Sequence, residues 1–393
     1  MAVELITRPR VKTRTSDAFA SIELFTGAGG LALGTHYAGF NHRVLIEWDQ
    51  HASRTVQANA SADVVPGIRN WTVRTGDIRQ VDFRAHEGLD LIAGGPPCQP
   101  FSIGGKHKGM SDARNVIPEF IRSVRESMPR AFIFENVRGL TRPMFRPYFD
   151  YIKLQLSYPE VLLKRGEDWV LHRDRLGAHA KRAKPSYIVT HCLLNAADYG
   201  VPQVRHRVFV VGFRADLGTS FEFPQSTHSF EALVWDQSVG GEYWGRHGLK
   251  RPFNQLALGR LVDAPAAKPW RTVRDAIGDL PEPTTQGHLL LSGHWVQPGA
   301  RSYPGHTGSE MDLPAKTLKA GDHGVPGGEN MLRRPDGSVR YFTVLETARL
   351  QTFPDDWEFE GAWGEIMRQL GNAVPVRLAQ VVAEHVAKQL KAT

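Results

Sequence analysis

Between about residues 20 and 213, strand-length apolar runs alternate with stretches of helical period, and this rhythm admits few architectures. Residues 21–25 lead through a glycine turn into a helix ending near Tyr37. Residues 43–46 read as a second strand, 49–60 as a helix and 89–93 as a further strand. Val116, Ile117, Phe120, Ile121 and Val124 then fall on one helical face. Residues 131–134, 187–193 and 208–213 complete the apolar runs. Parallel strands need crossover connections, and one-faced helices supply them. The alternation therefore predicts an α/β domain with a Rossmann-like, doubly wound, mostly parallel sheet.

The rhythm fails twice. Residues 142–184 read as a less regular connection bearing Lys164, Arg165, Arg173, Arg175, Lys181, Arg182 and Lys184, either a solvated insertion or a DNA contact. From residue 214 to about 340 the chain is rich in Gly, Pro, His and Trp, which predicts a smaller, irregular domain. Residues 343–353 and 376–390 return to helical spacing. We expect a basic tail over 1–18, a first domain over 19–213, a small domain over 214–357 and a C-terminal segment over 358–393.

Composition narrows the chemistry. Cys98 and Cys192 are the only cysteines, which argues against a disulfide framework or a cysteine-rich zinc site. The histidines show no ligand-like clustering, so no metal is expected. The net charge of +7 favours a polyanionic partner. No apolar run reaches bilayer length and the first twenty residues lack a signal-peptide core, so a cytoplasmic protein without membrane attachment is expected.

Several segments carry chemistry. Phe25-Thr26-Gly27-Ala28-Gly29-Gly30 follows a strand and opens a helix, so backbone amides can approach a ligand there. Glu47, about twenty residues on, suits ribose hydroxyls. Trp48 can stack on an adenine, and Asp77 with Ile78 follows the third strand, where the aspartate reads either as an adenine contact or as a turn residue. Alone, this set fits a nicotinamide enzyme as well as a methyltransferase. Gly94-Gly95-Pro96-Pro97-Cys98-Gln99-Pro100-Phe101-Ser102 follows a fully apolar strand, and its prolines present the thiol from a stiff segment at the ligand-binding edge. The next stretch, with Ser102, Gly104, Lys106 and Lys108, reads as a lid that closes over a phosphate backbone. Glu135 ends the strand before Asn136-Val137, and Arg205 and Arg207 lead into the last strand on one face of an extended segment.

In order and spacing, these segments resemble the DNA (cytosine-5) methyltransferase family from residue 21 to about 390. FTGAGG resembles the cofactor loop, Glu47-Trp48 the ribose and adenine contacts, PPCQPFS the nucleophile segment, ENV the catalytic glutamate segment and QVRHR the substrate-arginine segment. Gln369-Leu370-Gly371-Asn372-Ala373-Val374-Pro375 resembles the last motif, which returns to the cofactor pocket of the first domain. The resemblance implies an S-adenosylmethionine-dependent methyltransferase fold with a target-recognition domain. It places Phe25, Gly27, Gly29, Gly30, Glu47, Trp48, Asp77, Ile78, Pro97, Asn372 and Ala373 around S-adenosyl-L-methionine, whose product is S-adenosyl-L-homocysteine. It implies Cys98 as nucleophile, Glu135 as the proton-holding acid and Arg207, supported by Arg205, as base-orienting groups. The partner implied is double-stranded DNA, the chain a monomer, with possible pairing to a restriction endonuclease. Two features depart from the family pattern: the link between Val137 and Asn195 is longer than in compact members, and Gly104 stands where some members carry serine. An RNA cytosine-5 methyltransferase and a non-catalytic DNA-binding relative are the alternative readings.

Overall fold

The computed structural model describes residues 18–97, 115–238, 241–252, 264–287, 291–304, 306–320 and 330–393. The first part of the chain runs β1 (Phe19–Leu24), α1 (Gly30–Tyr37), β2 (Phe40–Glu47), α2 (Gln50–Ala62), β3 (Val73–Thr75), β4 (Leu91–Gly94), α3 (Ile117–Ser127) and β5 (Ala131–Val137). It continues with α4 (Arg146–Ser157), α5 (Trp169–Ala180), β6 (Tyr187–Asn195) and β7 (His206–Arg214). The seven strands form one sheet in the order β3-β2-β1-β4-β5-β7-β6. All neighbouring pairs from β3 to β5 are parallel, whereas β7 lies antiparallel to both β5 and β6.

Period-two alternation sends successive side chains to opposite faces, and both faces are buried. Ile22, Leu24, Phe132, Phe134, Val208 and Val210 pack with Phe120 and Val124 of α3 and with α4. Ala131, Ile133, Phe209, Val211 and Phe213 face the other way. They pack against Leu378, Val382, Val386 and Leu390 of the C-terminal helix. Because the chain builds outward from β1 through β2 to β3 and then crosses to β4, the strand order reverses between β1 and β4. A crevice opens at the carboxyl ends of strands at such a point. Both the glycine loop after β1 and the proline segment after β4 border it.

The connection expected to be irregular is instead two helices of 12 residues each, α4 and α5. α4 buries an aromatic stripe, Tyr148, Phe149, Tyr151, Ile152 and Leu156. α5 buries only His172 and Leu176, which leaves it almost without hydrophobic period. Polar ties hold it: Tyr151 Oη meets His172 Nδ1 at 2.8 Å, and His172 Nε2 lies 2.9 Å from the Val161 carbonyl.

Beyond β7, the short helices α6 (Phe230–Ser238), α7 (Glu242–Arg246) and α8 (Val273–Ile277) are followed by α9 (Val344–Leu350), α10 (Trp363–Asn372) and α11 (Val376–Lys391). Side-chain bonds brace the short helices; Arg274 grips the Asp312 carboxylate with two nitrogens, and Tyr243 donates to the same group. Among the described residues no helix is long and apolar enough to cross a membrane.

α11 packs directly on α1, and glycine makes the approach possible. A Cβ on Gly34 would overlap the Ala379 methyl and lie 2.6 Å from the Gln380 nitrogen. One on Gly30 would overlap the Val374 carbonyl oxygen. We therefore expect Gly34→Val to overpack this contact and destabilise the protein by about 1–3 kcal/mol. Urea unfolding measures this, and a midpoint equal to that of the unaltered protein contradicts it.

Candidate active site

The loop after β1 turns sharply. Phe25 (φ 58°), Gly27 (φ 56°) and Gly29 (φ 90°) are all left-handed, and Gly29 caps α1. A left-handed phenylalanine is strained backbone, the kind retained where geometry matters. Glu47 stabilises the turn from the neighbouring strand end. Its carboxylate accepts from the Gly27 amide at 2.7 Å and from the Asp49 amide at 2.7 Å. Burial nevertheless raises the Glu47 pKa, against the pull of those amides.

Beside Glu47, Trp48 is 65% exposed, an unusual position for an indole and a ready face for a planar ring. Glu47 pairs with Thr75 across the sheet, so Asp77 and the buried Ile78 follow at the same edge. The Asp77 carboxylate accepts from the Arg79 amide at 3.0 Å and pairs with its guanidinium at 3.2 Å, so it also shapes the turn. Exposed Asn372 and buried Ala373 end α10, next to the Val374 carbonyl that rests on Gly30. A carboxylate beside an exposed indole, under a loop of glycines, fits a nucleoside cofactor.

Glu23 was not singled out from sequence. It lies in β1 two residues before the loop, fully buried, and among the described residues neither carboxylate oxygen has a hydrogen-bond partner. Burial holds its pKa well above the usual carboxyl range. The available signal was an acid inside the apolar run Ser21-Ile22-Glu23-Leu24.

The second half of the site joins the ends of β4 and β5 to the start of β7. Cys98, Ser102, Gly104, Lys106 and Lys108 lie outside the described residues. Pro97, immediately before them, is exposed, and the Pro96 carbonyl accepts from Asn136 Nδ2 at 3.0 Å. Asn136 thereby ties the proline segment to the strand that carries Glu135. The antiparallel register sets Val137 opposite Arg207, and Arg207 Nε meets Glu135 Oε1 at 2.9 Å. Both residues are buried. Burial raises the Glu135 pKa, opposed by the charges of Arg207 and then Arg205.

Arg205, grouped with Arg207 on sequence grounds, has the contacts of a positioning residue. It is fully buried, and it donates to the carbonyls of Leu318 at 2.7 Å, Gly371 at 2.6 Å and Ala373 at 2.9 Å. Gln203 extends the tie: its Oε1 accepts from the Leu318 amide at 3.0 Å and its Nε2 donates to Gln351 Oε1 at 3.1 Å. The segment leading into Arg207 is thus fastened to the chain at Leu318 and to the end of α10.

Gly95 supplies the clearance this arrangement needs. A Cβ there would lie 2.6 Å from Glu135 Oε2, the movable end of the side chain. Gly95→Ala should therefore displace the carboxylate while leaving the core intact. We expect kcat to fall at least about tenfold, the cost of misplacing a reacting group, with the thermal midpoint nearly unchanged. Full activity in that variant contradicts the arrangement.

The family described as C-5 cytosine-specific DNA methylase matches residues 19–158 and 180–388, leaving out 159–179, which include most of α5. The chain is 32% identical to the type II methyltransferase M.NgoMIV of Neisseria gonorrhoeae over 379 residues, 95% of this chain and 98% of that protein. It is 33% identical to the type II methyltransferase M.PspPI of Psychrobacter sp. (strain TA137), covering 96% of this chain and 81% of that one. Among solved structures, the Dnmt2 methyltransferase of S. pombe superposes with a TM-score of 0.55 at 16% identity, over 95% of this chain and 99% of its own. That likeness speaks for the fold. With the family match extending over nearly the whole described sheet and the C-terminal helices, this chain belongs to the C-5 cytosine-specific DNA methylases.

Proposed function

We propose that this protein transfers a methyl group from S-adenosyl-L-methionine to carbon 5 of a cytosine flipped out of a specific duplex DNA sequence. The observation that carries the reading is the buried Glu135–Arg207 pair, tied through Asn136 to the proline segment that leads to Cys98. A carboxyl and a guanidinium held together offer complementary groups to one edge of a cytosine ring.

In this reading the Cys98 thiolate bonds to carbon 6 of the base. Glu135 hydrogen-bonds ring nitrogen 3 and the exocyclic amine, and its proton balances the charge that the sulfur brings into the ring. Arg207 holds the carbonyl oxygen on carbon 2, with Arg205 fixing the backbone behind it. Phe25, Gly27, Gly29, Gly30, Glu47, Trp48, Asp77, Ile78, Pro97, Asn372 and Ala373 would hold the cofactor, which would supply an electrophilic sulfonium methyl. Carbon 5, made nucleophilic by the addition, would take the methyl and release S-adenosyl-L-homocysteine; its proton then passes to water, the carbon 6–sulfur electrons leave with Cys98 as thiolate, the proton at nitrogen 3 returns to Glu135, and 5-methylcytosine remains. None of these ring atoms is reachable inside a duplex, so extrusion of the base precedes the chemistry, at a few kcal/mol for unstacking. In the same reading Ser102, Gly104, Lys106 and Lys108 contact the DNA.

The relatives carry names of type II methyltransferases, which supports a role in DNA modification beside a restriction endonuclease; in this reading the protein acts as a monomer in the cytoplasm. The small-domain residues 214–357 are the part that reads the sequence.

Labelled methyl transfer to duplex DNA tests the reading. Cys98→Ala should abolish transfer, and turnover by that variant sinks the covalent route. Burial keeps Glu135 protonated to higher pH than an ordinary carboxyl, and the proton is lost as pH rises through the raised value. The alkaline fall of kcat/KM should therefore follow Glu135. Glu135→Gln should lower kcat by about 10²–10⁴-fold and remove that limb from the residual activity. An alkaline limb unchanged in Glu135→Gln rules out Glu135 as the proton holder.

A further inference from the structure

Immediately after the catalytic strand the chain runs Asn136-Val137-Arg138-Gly139-Leu140-Thr141-Arg142-Pro143-Met144-Phe145-Arg146-Pro147-Tyr148-Phe149, with three arginines and no acid. The stretch forms two consecutive 3-10 turns and the start of α4. Leu140, Phe145, Tyr148 and Phe149 anchor it inward on the core. Arg138, Arg142 and Arg146 are all exposed. Among the described residues Arg138 and Arg142 have no side-chain hydrogen bond or ion pair, and Arg146 reaches only Asp150, at 4.0 Å. Some arginines elsewhere on the surface are matched, as Arg84 is by Asp82, Arg175 by Glu167 and Arg214 by Asp216.

The row also sits at a telling place. Arg138 follows Glu135 by three residues and lies close enough to His206, the neighbour of Arg207, to depress its pKa after burial has done so. At the other end, the Tyr148 hydroxyl accepts from Asn115 at 2.9 Å, ahead of α3. The arginines therefore border the carboxyl edge of the sheet, the edge a flipped base must enter.

We infer that Arg138, Arg142 and Arg146 form a binding surface for the phosphate backbone flanking the extruded nucleotide. The inference rests on the DNA reading above and adds a contact strip on the large sheet domain. A strand whose nucleotide enters beside Glu135 must carry its neighbouring phosphates across this rim. Unmatched guanidiniums there meet those phosphates with two parallel hydrogen bonds each and release condensed counterions. Such contacts position the duplex and carry no sequence information, so a probe need not contain the recognised site.

The test is fluorescence anisotropy of a labelled mixed-sequence duplex, titrated with the full-length protein from roughly 50 to 200 mM salt. The combined Arg138→Gln, Arg142→Gln and Arg146→Gln variant should bind at least about tenfold more weakly, with the slope of log K against log salt shallower by about two to three. Arg142→Gln alone should reduce the slope by about one. The control removes equal charge at the opposite edge, where β6 begins opposite Arg214 and exposed Lys181, Arg182 and Lys184 lead into it. Their triple glutamine variant should match the unaltered protein within about twofold. Thermal melts establish that each variant is folded. Binding and slope unchanged in the first variant, or equal losses in both triples, overturn the inference. Should the unaltered protein methylate DNA while the arginine variants keep its slope, only this inference falls. A protein that neither binds nor methylates duplex DNA overturns the proposed function as well.

Discussion

The antiparallel insertion of β7 between β5 and β6 is the constraint on which the site depends. In a purely parallel sheet the first residues of a strand lie at the edge opposite the ligand crevice. Reversing β7 brings its first residues to the carboxyl edge, so Arg207 meets Glu135 at 2.9 Å with both buried. Removing two charges from water costs several kcal/mol per ion, and mutual attraction offsets this only with good geometry. Replacing such a pair by apolar residues is commonly neutral or stabilising. Its presence at the crevice, beside a glycine that leaves room for the carboxylate, is better explained by chemistry than by stability.

The surrounding contacts act to keep that pair in place. Asn136 couples it to the proline segment and Gly95 gives clearance. Arg205 fastens the approach to β7 to the carbonyls of Leu318, Gly371 and Ala373. The last two of these carbonyls end α10, just before the turn that rests on Gly30 of the cofactor loop. One buried guanidinium thus links the segment leading into Arg207 to the segment that follows α10 and rests on Gly30. The hydrogen bonds to these three residues are all to backbone, so the link holds main chain.

Much of the fold could be read from the sequence because its sheet is buried on both faces. Runs such as Phe132-Ile133-Phe134 and Val208-Phe209-Val210-Val211 have no other use than as interior strands. The helices α4 and α5 escaped that reading for opposite reasons. In α4 the stripe is aromatic and its start is broken by Pro143 and Pro147, while α5 is held by polar ties to Tyr151 and Val161. The antiparallel turn of β7 was also hidden, since the period of a strand does not report its direction. At the site, residue types and order pointed to Glu135, Arg207 and the cofactor loop. The carbonyl partners of Arg205 lie between 113 and 168 residues away along the chain, and no local pattern reveals them. Glu23 was obscured by the apolar residues around it, which make an acid look like part of a strand.

The central claim is that this carboxyl edge holds a cytosine for addition of a cysteine. The most direct measurement incubates the protein with S-adenosyl-L-methionine and duplex DNA bearing 5-fluorocytosine at the methylated position, followed by denaturing mass spectrometry. Fluorine on carbon 5 cannot leave as a proton, so the account predicts a stable protein–DNA adduct attached through Cys98. Methylation of ordinary DNA without any adduct on the fluorinated duplex would contradict it.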